Sequence, residues 1–232
     1  MNKPFMDCLS VGGRLISSLA LIVASPAFGG DRVALAADAQ PLYQNDFEKG
    51  AVGTVPEDFM VLEGAFKVQQ EGGNKFLELP GAPLDTYGLL FSSTEKDGLA
   101  VSARIFGTSK GRRFPTFAVG LNGGGGFKLQ VSPAKGAIEL LKGDTIRKSV
   151  PYDWPQGKWV YLRLEIQQSK SGVWNVAGKV WRVGEPEPAA ASIMSEEKDE
   201  PTPGRASIWG SPFSGTPIRY DDLAVVRLPS QP

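Results

Sequence analysis

The stretch Lys158-Trp-Val-Tyr-Leu-Arg-Leu-Glu-Ile-Gln-Gln168 alternates over its whole length. Val160, Leu162, Leu164 and Ile166 share one parity, and Trp159, Tyr161, Arg163, Glu165 and Gln167 share the other. A period of two built from β-branched and aromatic residues predicts a strand, because successive side chains of an extended chain point to opposite faces. The aliphatic row has to be buried against a second layer. The opposite row sets aromatics between charges, as neither plain surface nor core does, so function is expected there.

Working outward, residues 98–106 alternate in the same way, with Leu99, Val101, Ala103 and Ile105 inward and Ser102, Arg104 and Phe106 outward. Further strands are expected at 42–48, 59–62, 65–69, 75–79, 87–92, 114–121, 127–131, 137–141, 145–150, 205–209 and 217–228, with a second long one at 173–183. Gly72-Gly73-Asn74 is a hairpin turn signal. The run Asn122-Gly-Gly-Gly-Gly126 reads as a hairpin connection, since neither Gly-Lys-Ser/Thr nor a helical pattern follows. Residues 184–203, rich in Pro, Glu and Ala, are expected to form an exposed loop with Glu196–Glu200 as a solvated acidic tract. Many short strands spaced by turns predict an all-β, antiparallel two-sheet β-sandwich, a jelly roll.

Composition agrees. The 232 residues are 41% apolar, with 28 Gly and 18 Pro, which suits a sizeable core and many turns. Lys+Arg 25 balances Asp+Glu 25, so no basic excess points to nucleic acid. No histidine is present, which excludes Ser-His-Asp and Cys-His nucleophile systems and histidine-built zinc sites.

Residues 1–36 read as a signal peptide. Lys3 and Arg14 precede the apolar run Leu15–Ala24, which is too short to span a bilayer. Small-residue cleavage sites occur at Ser25-Pro-Ala27 and Ala34-Leu-Ala36, and the second, leaving Ala37 first, is preferred. Residues 37–232 then form one domain, secreted or periplasmic, with no membrane span after cleavage. The single Cys, Cys8, is removed with the leader.

With Asn45-Asp-Phe-Glu48, Gly157-Lys-Trp-Val-Tyr-Leu-Arg-Leu164, Val176-Ala-Gly-Lys-Val-Trp181, Glu185-Pro-Glu-Pro188 and Arg219-Tyr-Asp-Asp-Leu-Ala-Val225 in order, the chain resembles the concanavalin A-like, laminin-G-like jelly-roll domains of secreted bacterial proteins. The resemblance covers about residues 41–229. It implies a structural calcium where the first and last strands meet. The matching ligands are Asp46 or Glu48 and Asp222, with carbonyls near Gly72. The architecture hosts lectins, glycosidases, lyases and adhesion modules, so it does not choose among functions.

Catalysis has little to stand on. The Glu-x-Asp-x-Glu and Glu-x-Asp-x-x-Glu triplets of sandwich glycosidases are missing. Glu139 and Glu165 are the acids on central strands and face each other as acid and base if the sheet brings them together. The structural alternative pairs Glu165 with Arg104 or Lys179 across strands. For binding, the outward face collects Arg104, Phe106, Lys128, Gln130, Glu139, Trp159, Tyr161, Arg163, Glu165, Gln167, Asn175, Lys179 and Trp181. Aromatics stack on sugar C–H faces while charged and amide groups bond hydroxyls. Trp159, Tyr161, Arg163, Glu165, Arg104, Lys179 and Trp181 are the candidate ligand-binding residues. A polysaccharide or an envelope protein is the expected partner. Packing of Trp181 beneath the 184–203 loop is the competing reading. Trp154 and Trp209 are candidate rim residues. Arg112-Arg113 either meets an acidic sugar or is simply solvated.

Overall fold

A computed structural model describes residues 40–229; the leader reading therefore lies outside the described residues. Fifteen strands are formed among them, all paired antiparallel. They are β1 (Gln40–Asn45), β2 (Met60–Glu63), β3 (Lys67–Glu71), β4 (Asn74–Leu79), β5 (Tyr87–Glu95), β6 (Leu99–Gly107), β7 (Thr116–Leu121) and β8 (Phe127–Ser132). After a 3-10 turn at Pro133–Lys135 come β9 (Ala137–Lys142), β10 (Thr145–Pro151), β11 (Val160–Gln168), β12 (Trp174–Arg182), β13 (Ile193–Glu197), β14 (Gly204–Ser211) and β15 (Ile218–Arg227).

Two sheets result. Sheet A runs β13-β12-β11-β6-β15-β4-β3, with β1 also paired to β15, and sheet B runs β10-β9-β8-β7-β14-β5-β2. The expected antiparallel sandwich is what the chain forms. Among the described residues no helix is long and apolar enough to cross a membrane.

The period-two rows decide which way each sheet faces. Val160, Leu162, Leu164 and Ile166 of β11 and Leu99, Val101, Ala103 and Ile105 of β6 are all buried in one core cluster. From sheet B, Phe117, Val119, Leu129, Val131, Ile138, Leu140 and Ile208 meet them. Burying one such aliphatic side chain contributes about 1.5–3 kcal/mol, so the register of β11 is strongly specified: a slip by one residue turns the whole row outward.

The hairpin at Gly72-Gly73 forms as expected. Both glycines take positive φ, 58° and 87°, the left-handed pair that a two-residue turn matching strand twist requires. The glycine run 123–126 likewise joins β7 to β8. A β-carbon on Gly126 would collide with the Leu121 carbonyl.

Residues 184–203 depart from the expectation of a loop, because β13 lies within them and pairs with β12. Glu197 of the acidic run is buried rather than solvated. It stands 3.6 Å from both Lys142 and Arg147 of sheet B, bridging the two sheets along one side of the sandwich.

Candidate functional site

The outer face of sheet A carries the residues singled out from sequence, and the structure sorts them into three groups. The first is an aromatic stack. Trp159 packs on Phe106 and Phe76, with ring centroids 5.4 and 6.3 Å apart. The Arg104 guanidinium lies 4.7 Å from the Trp159 ring centroid, and Arg219 lies 4.6 Å from that of Phe76.

The second group is an ion-pair quartet. Arg163 Nε meets Glu165 at 2.6 Å and Glu187 at 3.5 Å, while Lys179 Nζ meets Glu187 at 2.8 Å. Glu187 arrives from the segment between β12 and β13, which folds back over the face. Arg163 is consequently only 4% exposed. Glu165 pairs with its own-strand neighbour Arg163, not with Arg104 or Lys179 as expected.

The third group surrounds a β-bulge. Register shifts between Asp221 and Ala224 of β15 against β6, and Asp222 takes φ 48°. Left-handed backbone is rare for a residue with a side chain, and bulges re-aim side chains beside functional sites. Asp221 is 1% exposed. It pairs with Arg104, accepts from Asn74 Nδ2 at 2.9 Å and accepts the Asp222 amide at 2.8 Å. Burial pushes its carboxyl up to about 6, against the downward pull of Arg104 and Asn74. Asp222 accepts from Tyr161 Oη at 3.1 Å and stands 3.3 Å from Arg104 Nε. Burial, and then the Asp222 charge, raise the Tyr161 hydroxyl.

Asp222 opens onto a cleft of about 750 Å³. One wall is the segment between β1 and β2, and the floor is the middle of sheet A. Gln44, Asn45, Asp46, Lys49, Thr54, Glu57, Ser102 and Asp222 give it its polar groups. The wall is fastened at several points. Phe47 is buried, Asn45 Oδ1 accepts the Phe47 amide at 2.9 Å, and Lys75 Nζ donates to the Glu48 and Gly50 carbonyls at 3.0 and 2.9 Å. A backbone pair between Thr54 and Val68 ties it to β3.

Tyr161 and Trp181, both candidates for stacking on a ligand, stack on each other instead, at 5.2 Å and 22°. They are 3% and 5% exposed, so neither ring is open to a ligand and the pair packs within the outer face. Lys128, Gln130 and Glu139 belong to the outer face of sheet B. Glu139 and Glu165 thus lie on different sheets and cannot act as an acid–base pair. Glu139 is held by Ser132, Gln130 and Lys135. Trp154 is part of the core, edge-on to Phe117, and Trp209 lies on sheet B beside Lys128. Sequence reasoning missed the wall of the cleft. Its signal was the length of the connection from Asn45 to Met60, since long ordered loops in compact domains are commonly functional.

The expected calcium ligands do not form a fitting set. Asp46 and Asp222 line one cleft, but the Asp222 carboxylate already has Tyr161 and Arg104, so the guanidinium supplies the positive charge. Glu48 accepts the Lys75 amide at 3.0 Å. Among the described residues no three acidic, cysteine or histidine groups converge as metal ligands.

The fold is that of a lectin-like jelly-roll sandwich. The chain is similar to the Emp47p carbohydrate recognition domain, at 10% identity and TM-score 0.55, over 84% of this chain and 100% of that one. It is similar to a Bacillus subtilis protein of unknown function with a galectin-like fold, at 12% identity and TM-score 0.57, over 83% and 98%. It is also similar to the VIP36 exoplasmic/lumenal domain in its Ca2+/Man3GlcNAc-bound form, at 7% identity and TM-score 0.52, over 75% and 85%. No protein-family model matches the chain, and no curated protein matches it in sequence.

Proposed function

We propose that this chain is a non-catalytic glycan-binding module of the laminin-G-like kind, exported by its leader, and that the Asp222 cleft is its site. The observation that carries the reading is the cleft itself. It is concave, walled by a fastened loop, and lined by carboxylates, two amides, hydroxyls and an amine that match sugar hydroxyls as acceptors and donors. Its volume lies in the range of small-ligand sites. The left-handed Asp222 supports the reading, because strained backbone is kept where it positions a functional group. The similar folds of Emp47p and VIP36, named for carbohydrate recognition and for a bound glycan, support the ligand class. A binding role fits better than a hydrolase or lyase: the cleft's Asp222 is tied to Arg104 and Tyr161, and Glu139 and Glu165 are separated by the sandwich.

The test is affinity electrophoresis of the full-length protein through neutral polysaccharide gels. The wild type is retarded on at least one gel. Asp222→Asn and Asp46→Asn lose that retardation while keeping their melting temperature. Free migration of the wild type through every neutral gel refutes this site.

A protein-contact reading has one observation behind it. Edge strand β2 exposes Met60, Val61 and Leu62 together, and exposed apolar edges invite pairing. Self-association that Val61→Lys abolishes would favour it.

A further inference from the structure

At the end of the sandwich where β6 and β12 finish and β11 begins lies a second concavity of about 710 Å³. Trp154 and Trp159 form its aromatic wall, and Gln156, Lys158 and Arg182 its polar edge. No carboxylate lines it. Lys158 and Arg182 are exposed, and neither makes an ion pair among the described residues. Glu185, the nearest acid in sequence, accepts the Arg182 backbone amide at 3.4 Å rather than its guanidinium. By contrast, Arg104, Arg163, Lys179, Arg219 and Arg227 of sheet A rest on carboxylates.

The connection between β6 and β7 adds to this charge. Lys110 and Arg113 exchange backbone hydrogen bonds of 3.0 and 3.1 Å, which sets Arg112 at the tip of a tight turn. All three cations are exposed. Ser109 bonds Gln156, so the turn is joined to the edge of the concavity. In a chain with equal numbers of acids and bases, this end gathers five cations that make no ion pair among the described residues, beside a half-buried indole, with Asp153 and Glu185 the acids near Arg182.

We infer that this end is a second binding site, for an acidic saccharide. A sugar ring packs on the part of the Trp159 indole that lines the concavity, beside the stretch covered by Arg104, and its carboxylate or sulfate is held by Arg182 and Lys158, with Arg112 meeting the next acidic unit of the polymer and Arg113 tied to the Ser214 carbonyl at 3.4 Å. A guanidinium takes carboxylate and sulfate with the same planar donor pair, so uronate and sulfate ester are one chemistry here. The aromatic wall is what selects a saccharide over a generic polyanion. The Asp222 cleft lies elsewhere on sheet A and offers carboxylates, so it suits a neutral glycan and the second site an acidic one.

Affinity electrophoresis of the full-length protein through polygalacturonate, heparin and dextran gels tests this, with polyglutamate as the non-saccharide polyanion. Retardation by polygalacturonate or heparin is expected, the stronger of the two naming the acidic group. It should be lost on going from about 0.05 M to about 1 M salt, where screening acts within about 3 Å. Lys158→Gln with Arg182→Gln should weaken it about tenfold, as expected for hydrogen bonds to charged groups, and leave migration in dextran unchanged. Both residues are exposed, so the double variant keeps its melting temperature. Free migration through both acidic saccharides overturns the inference. So does retardation that ignores the double variant, or equal retention by polyglutamate.

Discussion

Among the described residues Arg104 is the one positive group paired with two adjacent carboxylates, and Arg104→Met removes the charge while keeping an unbranched aliphatic stem. Asp221 is almost wholly buried, and its oxygens are committed to Arg104, Asn74 and the Asp222 amide. Taking one partner from a buried ion pair costs about 3–5 kcal/mol, because the remaining charge stays desolvated. That figure applies at pH 8, where Asp221 is ionised. In the wild type its folded value is raised to about 6 from an ordinary 3.8. The folded state therefore holds the proton more tightly than the unfolded state. Stability from this group is full below about pH 4 and falls as pH rises through 6. A raise of about 2 units corresponds to about 3 kcal/mol over that window. Without Arg104 the carboxyl rises further, and the decline continues to higher pH. At pH 5, with Asp221 protonated, Arg104→Met should cost only about 1–2 kcal/mol, the worth of its hydrogen bonds. Urea denaturation followed by tryptophan fluorescence at pH 5 and pH 8 measures both. The double variant Arg104→Met, Asp221→Asn should recover most of the loss at pH 8. Equal losses at both pH values, or a double variant no better than the single, would refute the account.

Three further outcomes are expected. Trp181→Ala should lower stability by about 3–5 kcal/mol, read by thermal denaturation, since the ring is buried and stacked on Tyr161; a melting temperature within about 2 °C of wild type contradicts its supporting role. Gly210→Ala places a β-carbon against the Tyr220 hydroxyl, Leu79 and Ile218, and should cost about 1–3 kcal/mol by overpacking; a neutral result means that this part of the core yields. Calcium should leave the melting temperature unchanged against a chelator control, because Arg104 occupies the position of charge; a rise of several degrees would show that the carboxylates rearrange around an ion.

The central rows were legible because burial imposes a strict period on β11 and β6, and that period survives in the sequence. Parity, however, does not say which sheet a strand joins. Lys128, Gln130 and Glu139 alternate correctly yet sit on sheet B, across the core from Trp159. The burial of Arg163 was hidden for a similar reason: Glu187 covers it from a segment with no period of its own. β13 was missed because Ile193-Met-Ser-Glu-Glu197 looks solvated until Lys142 and Arg147 are brought to Glu197 by sheet B. Of the candidate site, Arg104, Tyr161 and Asp222 do come together. Their meeting point was illegible because the bulge depends on a left-handed backbone at Asp222, a conformation that aspartate does not announce.

The place of β15 has a consequence for how the molecule comes into being. This strand bonds β6 along one flank and β4 and β1 along the other, so the first described strand and the sixth both await it. Leu99 meets Arg227 across it, a pairing that no shorter nascent chain can make. Loops of that span are slow to close. Synthesis therefore leaves β1, β4 and β6 with open hydrogen-bonding edges until residues 218–227 emerge, and sheet A closes in one late, cooperative step. A chain cut before Ile218 keeps every strand of sheet B but has nothing to join β4 and β1 to β6 within sheet A.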